Sequence, residues 1–158
     1  MLQVRIAPLP DGLHQETLTP TAEDLDLDAE VFSDITVDLV LDVAPDRVLA
    51  TYTARATARL ECDRTLDEYD ESLEASHAVL FSATAEEADD DVRPLPDDAT
   101  HVDLADSVHD TLVLAVPLRK VSPAARAAEI PTAFGASSDD GMADDRWDAL
   151  RALRDDTD

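Results

Sequence analysis

The sequence is poor in the residues on which cross-linked, metal-stabilised and nucleotide-binding proteins depend. Among its 158 residues there is one cysteine, Cys62, and there are three glycines. A single cysteine excludes an intramolecular disulfide and a cysteine-rich zinc site within one chain. Three scattered glycines exclude the Gly-rich loop that holds a nucleotide phosphate. We therefore expect no cofactor and no resident metal.

Aromatic residues and long apolar runs are scarce as well. Apolar residues make up 44% of the chain, but only six residues are aromatic, so the core must consist mainly of Val, Leu, Ala and Ile. No stretch approaches the roughly 18 apolar residues of a membrane-spanning helix. The N-terminus has no basic segment followed by a long apolar run, which a secretion signal needs. These features predict a cytoplasmic protein.

Basic residues are few, and the charge is strongly unbalanced. The chain has 37 acidic and 12 basic residues, a formal net charge of −25, and Lys120 is its only lysine. Repulsion of this size destabilises a compact state unless salt screens it, and the screening length falls to about 3 Å at 1 M salt. We therefore expect halophilic adaptation to a salt-rich cytosol. The alternative is an acidic disordered or partner-mimicking protein, against which the regular Val and Leu pattern argues.

The acidity also restricts the kind of partner. Nucleic-acid phosphates are bound by Lys and Arg, and the affinity so obtained falls steeply with salt. Affinity built mainly from basic phosphate contacts is therefore excluded. Proximity to RNA is not, because a salt-rich cytosol screens the repulsion. The composition favours protein partners, apolar contacts or stacking.

Three long segments predict a β-meander. Residues 31–43 and 48–61 place apolar side chains at every second position, as half-buried strands do. Residues 66–81 contain Tyr69, Leu73, Val79 and Phe81 and are predicted to return as a third strand. Residues 2–6 read as a short strand within an N-terminal arm, residues 1–30, which is rich in turn residues.

A helix follows an acidic loop predicted over residues 84–98. Asp103 is placed to cap its N-terminus, and Pro117 to end it. One apolar face is formed by Leu104, Val108, Leu112 and Ala115.

A second acidic or flexible loop is predicted over residues 119–143. A C-terminal helix is then predicted over 144–154, with acids at its start and arginines at its end, as the helix dipole favours. The whole chain, 1–158, is predicted to form a single α+β domain. Its sheet is an antiparallel β-meander or partial barrel, covered by the apolar helix and the C-terminal helix.

Catalytic residue types occur, but not in a catalytic pattern. Ser107, His109 and Asp110 are adjacent in the predicted helix, whereas a nucleophile, a base and an orienting acid must converge in space. A zinc site would need long-range convergence of the histidines, since no two of them lie four residues apart in a helix. The histidines are His14, His77, His101 and His109.

Two further features carry weak chemical signals. Acidic pairs such as Asp97–Asp98 could hold Mg²⁺ or Ca²⁺, but a chain with 37 acids produces such pairs by composition. Cys62 could be a reactive thiol, because Arg64 beside it would favour the thiolate. The competing interpretation is a partly buried and inert cysteine at the end of a strand. We expect no enzymatic activity.

Three patches of the sequence together carry a family resemblance. Residues 60–66 read Leu-Glu-Cys-Asp-Arg-Thr-Leu, residues 102–118 end in Leu-Val-Leu-Ala-Val-Pro-Leu, and residues 145–150 read Asp-Arg-Trp-Asp-Ala-Leu. In this order they resemble the YceD-like family of large ribosomal RNA subunit accumulation proteins, whose patterns are Leu-x-Cys-x-Arg-Cys-Leu, an Asp-Leu…Leu-x-Leu-Ala-Leu-Pro helix and an Asp-Pro-Arg-Trp-x-x-Leu ending. The third patch matches that ending apart from the proline.

The resemblance implies a non-enzymatic ribosome biogenesis factor that supports accumulation of large-subunit ribosomal RNA. Its implied partner is a ribosomal RNA or a ribosomal protein of the large subunit. Thr65 stands where many relatives have a second cysteine, so a metal role in relatives does not transfer to this chain. The residues that match the family are Cys62, Arg64, Asp103, Pro117, Arg146 and Trp147.

The matched residues have two interpretations, structural and partner-contacting. Arg64 could pair with a neighbouring acid, and Trp147 could cover the sheet, or either could touch a partner directly. A different functional class also remains open, namely a general acidic protein-interaction or chaperone-like module of a salt-adapted cytosol. The oligomeric state does not follow from the sequence.

Overall fold

A computed structural model describes residues 1–85 and 92–128 of the chain, and ten elements lie within them. The strands and helices, in chain order, are β1 (Gln3–Arg5), β2 (Gly12–Leu18), a 3₁₀ helix (Glu23–Leu25), β3 (Phe32–Ala44), β4 (Arg47–Glu61), β5 (Glu68–Ser82), β6 (Val92–Pro94), β7 (His101–Asp103), α1 (Ala105–Ala115) and α2 (Pro123–Ala127).

The predicted three-stranded meander is confirmed. β3, β4 and β5 pair antiparallel in sequence order, and β3 and β4 are joined by a tight turn at Pro45 and Asp46. Every second side chain of these strands points into the core. In β4 this alternation is regular even where the buried residues are small alanines. The inward positions of β3 and β4 include Ile35, Val37, Leu39, Leu41, Tyr52, Ala54, Ala56, Ala58 and Leu60.

The predicted N-terminal arm, residues 1–30, is instead built into both sheets. β2 pairs with β3 along its whole length, and β1 pairs with β7. The short strand predicted at residues 2–6 is thus present. β2 escaped prediction because an edge strand with few buried positions needs little apolar alternation. Leu2, Val4 and Ile6 are buried in the core.

The α+β class is confirmed, but the sheet is open and mixed, and it does not close as a barrel. Its strand order is β2-β3-β4-β5-β6, with β5 and β6 parallel, and β1 and β7 form a separate two-stranded sheet. The parallel strand falls inside the loop predicted over 84–98. Three residues of mixed composition carry no readable period, so β6 was not predictable.

Helix α1 packs against β4 and β5, as its apolar periodicity predicted. Leu104, Val108 and Leu112 are fully buried. The helix ends at Ala115, two residues before Pro117. The Tyr52 hydroxyl lies 3.0 Å from the Thr111 hydroxyl, which itself donates to the Ser107 carbonyl. Since Thr111 has one hydrogen to give, Tyr52 is the donor between strand and helix.

The described part of the predicted loop over 119–143 contains α2. Val121, Ser122 and Ala125 are buried there, so this segment contributes to the core. The C-terminal helix predicted over 144–154 lies outside the described residues. Met1–Ala127 forms one compact unit, and the expectation of one domain over 1–158 stays a prediction beyond it. Among the described helices, none has the length and apolarity needed to cross a bilayer.

Candidate functional site

The family-like residues that the structure describes lie in two places. Cys62 and Arg64 follow β4 in the turn that leads to β5, and Asp103 and Pro117 flank α1. Arg146 and Trp147 lie outside the described residues. The structure therefore brings Cys62 and Arg64 together and sets Asp103 elsewhere, between β1 and α1.

The turn after β4 is closed by its own backbone. The Leu66 amide donates to the Cys62 carbonyl at 2.8 Å, and the Cys62 amide donates to the Asp67 carbonyl at 2.9 Å. Leu66 takes a φ of 60°, in the left-handed region that bulky residues rarely occupy. Its side chain is exposed. A tight, closed turn thus points the side chains of Cys62, Asp63 and Arg64 toward a second segment.

That second segment is the chain from Lys120 to Ala125. The Asp63 amide donates to the Lys120 carbonyl, and the Asp63 carboxylate accepts from the Lys120 amide, both at 2.7 Å. The Ser122 amide donates to Cys62 Sγ at 3.4 Å, and Arg64 Nη1 donates to the Ala125 carbonyl. We call this set of contacts the Cys62 clamp. It ties residues about 60 positions apart in the sequence.

Cys62 is the buried centre of the clamp, packed with Val121 and Ala125. Its pKa is lowered to about 6, first by the hydrogen bond from the Ser122 amide and next by the Thr65 hydroxyl, while burial opposes the shift. Amide donors and a hydroxyl, not the guanidinium charge of Arg64, therefore favour the thiolate. Because the sulfur is fully shielded from solvent, its arrangement is that of a structural acceptor.

Thr65 explains how the clamp works with one cysteine. Its hydroxyl and backbone amide both lower the pKa of Cys62, so the residue at the family's second cysteine position serves the sulfur as a donor. Among the described residues, no group of three or more His, Cys, Asp or Glu side chains could hold a metal ion. The donors around Cys62 do not fit a metal.

Asp103 holds the start of α1, but not as predicted. The N-cap position is Leu104, one residue later. The Asp103 carboxylate nevertheless accepts from the first helical amide, Ala105, at 2.9 Å and from the Leu2 amide at 3.1 Å. One side chain thus satisfies a free helical N–H group and ties β1 to the helix. The contacts of Asp103 are structural.

The triad-like residues of α1 do not converge. His109 Nδ1 donates to the Leu25 carbonyl at 2.9 Å, which joins α1 to the 3₁₀ helix. The Ser107 side chain is buried, and its carbonyl accepts from Thr111. These contacts use His109 for packing the helix and leave no Ser–His–Asp relay. The absence of enzymatic activity stays a prediction.

The last turn of α1 and the residues just after it present apolar side chains that the sequence interpretation missed. Val113, Leu114 and Leu118 are exposed, with Leu114 at 83%. The helical periodicity could have indicated this exposure. Leu114 lies two positions after the buried Leu112 and therefore on the opposite face of the helix. Pro117, half-buried, lies between Leu114 and Leu118. The family-like helix thus ends in an apolar surface.

A groove runs beside this end of α1, between the helix and β5. It has a volume of about 440 Å³ and is lined by Leu114, Thr111 and Asp110 from the helix, and by His77 and Arg93 among others from the strands. Arg93 Nη1 lies 3.9 Å from a carboxylate oxygen of Asp106. The groove mixes apolar, hydroxyl and charged groups.

Comparison with known proteins supplies one match. A family model described as large ribosomal RNA subunit accumulation protein YceD matches residues 50–154 of the 158. The match starts in β4 and includes the Cys62 clamp and all of α1. No curated protein and no solved structure matches the chain.

Proposed function

This chain belongs to the YceD family of large ribosomal RNA subunit accumulation proteins, and we propose on that premise that it is a non-enzymatic ribosome biogenesis factor of the cytoplasm. It supports accumulation of large-subunit ribosomal RNA by binding an assembly intermediate. The observation that carries the proposal is the family match over residues 50–154, which includes the clamp and the helix.

The geometry of the clamp supports a binding role over a chemical one. Cys62 is buried, Asp63 bonds the backbone of Lys120, and Arg64 bonds the carbonyl of Ala125. Each reactive residue type is therefore used to hold chain segments together. The exposed apolar residues at the end of α1 and just after it, Val113 to Leu118, directly precede the clamped segment in the sequence.

The charge of the chain sets how such a factor binds. With a net charge of −25, contact with an RNA particle is opposed at low salt and screened at high salt. Apolar contacts do not weaken with salt, and kosmotropic salts strengthen them. A factor of a salt-rich cytosol therefore relies on apolar surface and on a few short-range polar contacts, with partners in ribosomal RNA or ribosomal proteins of the large subunit.

The test is deletion of the gene for this chain in its host. We expect the ratio of large-subunit to small-subunit ribosomal RNA to fall, and the wild-type chain supplied in trans to restore it. An unchanged ratio in the deletion strain would overturn the proposal. A chain carrying Arg47→Ala, an exposed residue at the start of β4, is the matched control and should restore the ratio fully.

Sedimentation of the tagged protein from native lysate, at cytosolic salt, separates this function from that of a general acidic interaction module. Co-migration with a precursor of the large subunit is expected for a biogenesis factor. Recovery with basic proteins unrelated to ribosomes would instead favour the general module.

A further inference from the structure

The end of α1 carries the densest group of exposed apolar side chains among the described residues. Leu114 and Leu118 are largely or fully exposed, and Val113, in the last turn of α1, is partly exposed. Contiguous exposed apolar side chains of this kind mark interaction surfaces. They lie within six residues of one another, directly before the segment that the Cys62 clamp holds.

The same segment carries the only two adjacent basic residues of the chain, Arg119 and Lys120. Most other described basic residues are engaged: Arg55, Arg59, Arg93 and Arg126 pair with acids, and Arg64 binds a carbonyl. Arg119 and Lys120 have no ion-pair partner within residues 1–85 and 92–128. In a chain with a net charge of −25, two such cations together form a local positive site.

The clamp holds the backbone of this segment in place. Asp63 is the acid bonded to Lys120, yet its carboxylate accepts from the Lys120 backbone amide and not from the ammonium group. The Asp63 amide binds the Lys120 carbonyl as well. The backbone of Lys120 is thereby fixed from both sides, and no acid within residues 1–85 and 92–128 pairs with its side chain.

These observations point to one kind of occupant. We propose that Leu114, Leu118, Arg119 and Lys120, which we call the α1 end surface, form a docking site for single-stranded RNA; resting on the proposed function, this is an unpaired segment of large-subunit ribosomal RNA. Two adjacent cations complement backbone phosphates, and the exposed leucines offer an apolar surface against which unpaired bases can be buried. Phosphates pair with Arg119 and Lys120, whereas a basic ribosomal protein is drawn to the acids elsewhere on the chain.

The groove beside the surface extends it. Leu114 belongs to both, and the groove continues past Thr111 to His77 and Arg93. An unpaired base of the RNA can enter this groove, where the Thr111 hydroxyl and the Asp110 carboxylate face its polar edges. The acids elsewhere on the chain do not prevent this contact in molar salt, because a screening length of about 3 Å weakens distant repulsion more than a direct ion pair.

The experiment measures binding of the full chain to two fluorescent RNA probes, an unstructured oligouridine and an in vitro transcript of the host's large-subunit ribosomal RNA, over a range of KCl. Affinity for RNA falls with salt, and Arg119→Ala with Lys120→Ala should make this dependence less steep. The magnitude of the slope of log affinity against log salt should decrease by about 1.4, or about 0.7 for each phosphate contact. Leu114→Ser with Leu118→Ser should weaken affinity about tenfold without changing the slope, because the two substitutions remove apolar area and no charge.

Matched controls come from the same chain. Arg47→Ala removes an exposed arginine, and Leu13→Ser removes a leucine that is 71% exposed on β2. Both should bind RNA as the wild type does. All substituted residues lie at the surface or, for Lys120, partly so, and circular dichroism at molar salt checks that each variant folds.

The outcomes separate this inference from the function it rests on. The inference would be overturned if the double variants bound RNA with the same affinity and the same salt slope as the wild type. It would also be overturned if the double variants lost binding to a purified basic ribosomal protein but kept their RNA binding. If a chain carrying all four substitutions fully restores the RNA ratio in the deletion strain, the docking inference is overturned and the biogenesis role stands. An unchanged ratio in the deletion strain itself counts against the biogenesis role alone.

Discussion

The backbone amide of Ser122 donates to the sulfur of Cys62 at 3.4 Å, across 60 positions of the sequence. This contact closes the clamp between the turn after β4 and the start of α2. It also lowers the pKa of Cys62, because an amide donor stabilises the thiolate more than the thiol. The chain's one cysteine is thus a structural acceptor, and its ionisation is coupled to the docking of a distant segment.

The ionisation of Cys62 makes stability depend on pH. The thiol has an ordinary pKa of 9.0 in the unfolded chain and about 6 in the folded chain. Between these values the unfolded chain binds the proton and the folded chain does not, so the free energy of unfolding rises with pH. This contribution is complete above pH 9 and is lost as the pH falls through 6.

Urea unfolding of the wild type and of Cys62→Ala at several pH values, in molar KCl, checks this expectation. The wild type should gain stability between pH 6 and pH 9 relative to the variant. Parallel pH profiles for the two proteins would contradict it. Because only the difference between profiles is used, groups that titrate equally in both proteins cancel.

The Asp63 carboxylate should contribute to stability through the Lys120 amide. Asp63→Ala removes this acceptor, and we expect the free energy of unfolding to fall by about 1 kcal/mol. Asp63→Asn keeps an oxygen acceptor and should cost less. Asp67→Ala, an exposed acid of the same turn, serves as the control in urea unfolding. Equal losses for Asp63→Ala and Asp67→Ala would show that the bond adds nothing.

The hydrogen bond between Tyr52 and Thr111 should couple the sheet to α1. Burial raises the pKa of Tyr52, so its phenol keeps the proton that it donates. Tyr52→Phe should reduce the free energy of unfolding by about 1 kcal/mol. A double-mutant cycle with Thr111→Val isolates the pair, and strictly additive effects would mean that the two hydroxyls are not coupled.

Salt should decide whether the chain folds at all. A net charge of −25 predicts self-repulsion that exceeds the stability of a modest core at low salt. We expect circular dichroism to show unfolding in dilute buffer and refolding as KCl approaches molar concentrations. Folding that is independent of KCl would contradict halophilic adaptation.

The long strands and α1 were predictable because their side-chain periodicity is local information. β3 and β4 alternate at period two over more than ten residues each, and α1 repeats its buried leucines and valine at helical spacing. The short strands β1, β6 and β7 have three residues each, and too few positions exist for a period. Only β1 was anticipated, from the weak alternation of residues 2–6.

The clamp could not be predicted for a different reason. The resemblance singled out Cys62 and Arg64, but it did not indicate Lys120, Ser122 or Ala125 as their partners. Those bonds use backbone groups, and every residue has the same backbone groups. The sequence of side chains therefore cannot indicate which backbone amide or carbonyl will become the hydrogen-bond partner of Cys62, Asp63 or Arg64.

The sequence by itself determined the acidic character of this protein, its long strands, its apolar helix and its family, because composition, periodicity and motif spacing are properties of the linear chain. The tertiary structure alone decided that the N-terminal residues complete the sheets, that Cys62 is buried against Ser122, and that Leu114 and Leu118 face solvent beside Arg119. These are long-range relations, and they arise only when packing brings distant segments within the few ångströms over which hydrogen bonds and apolar contacts act.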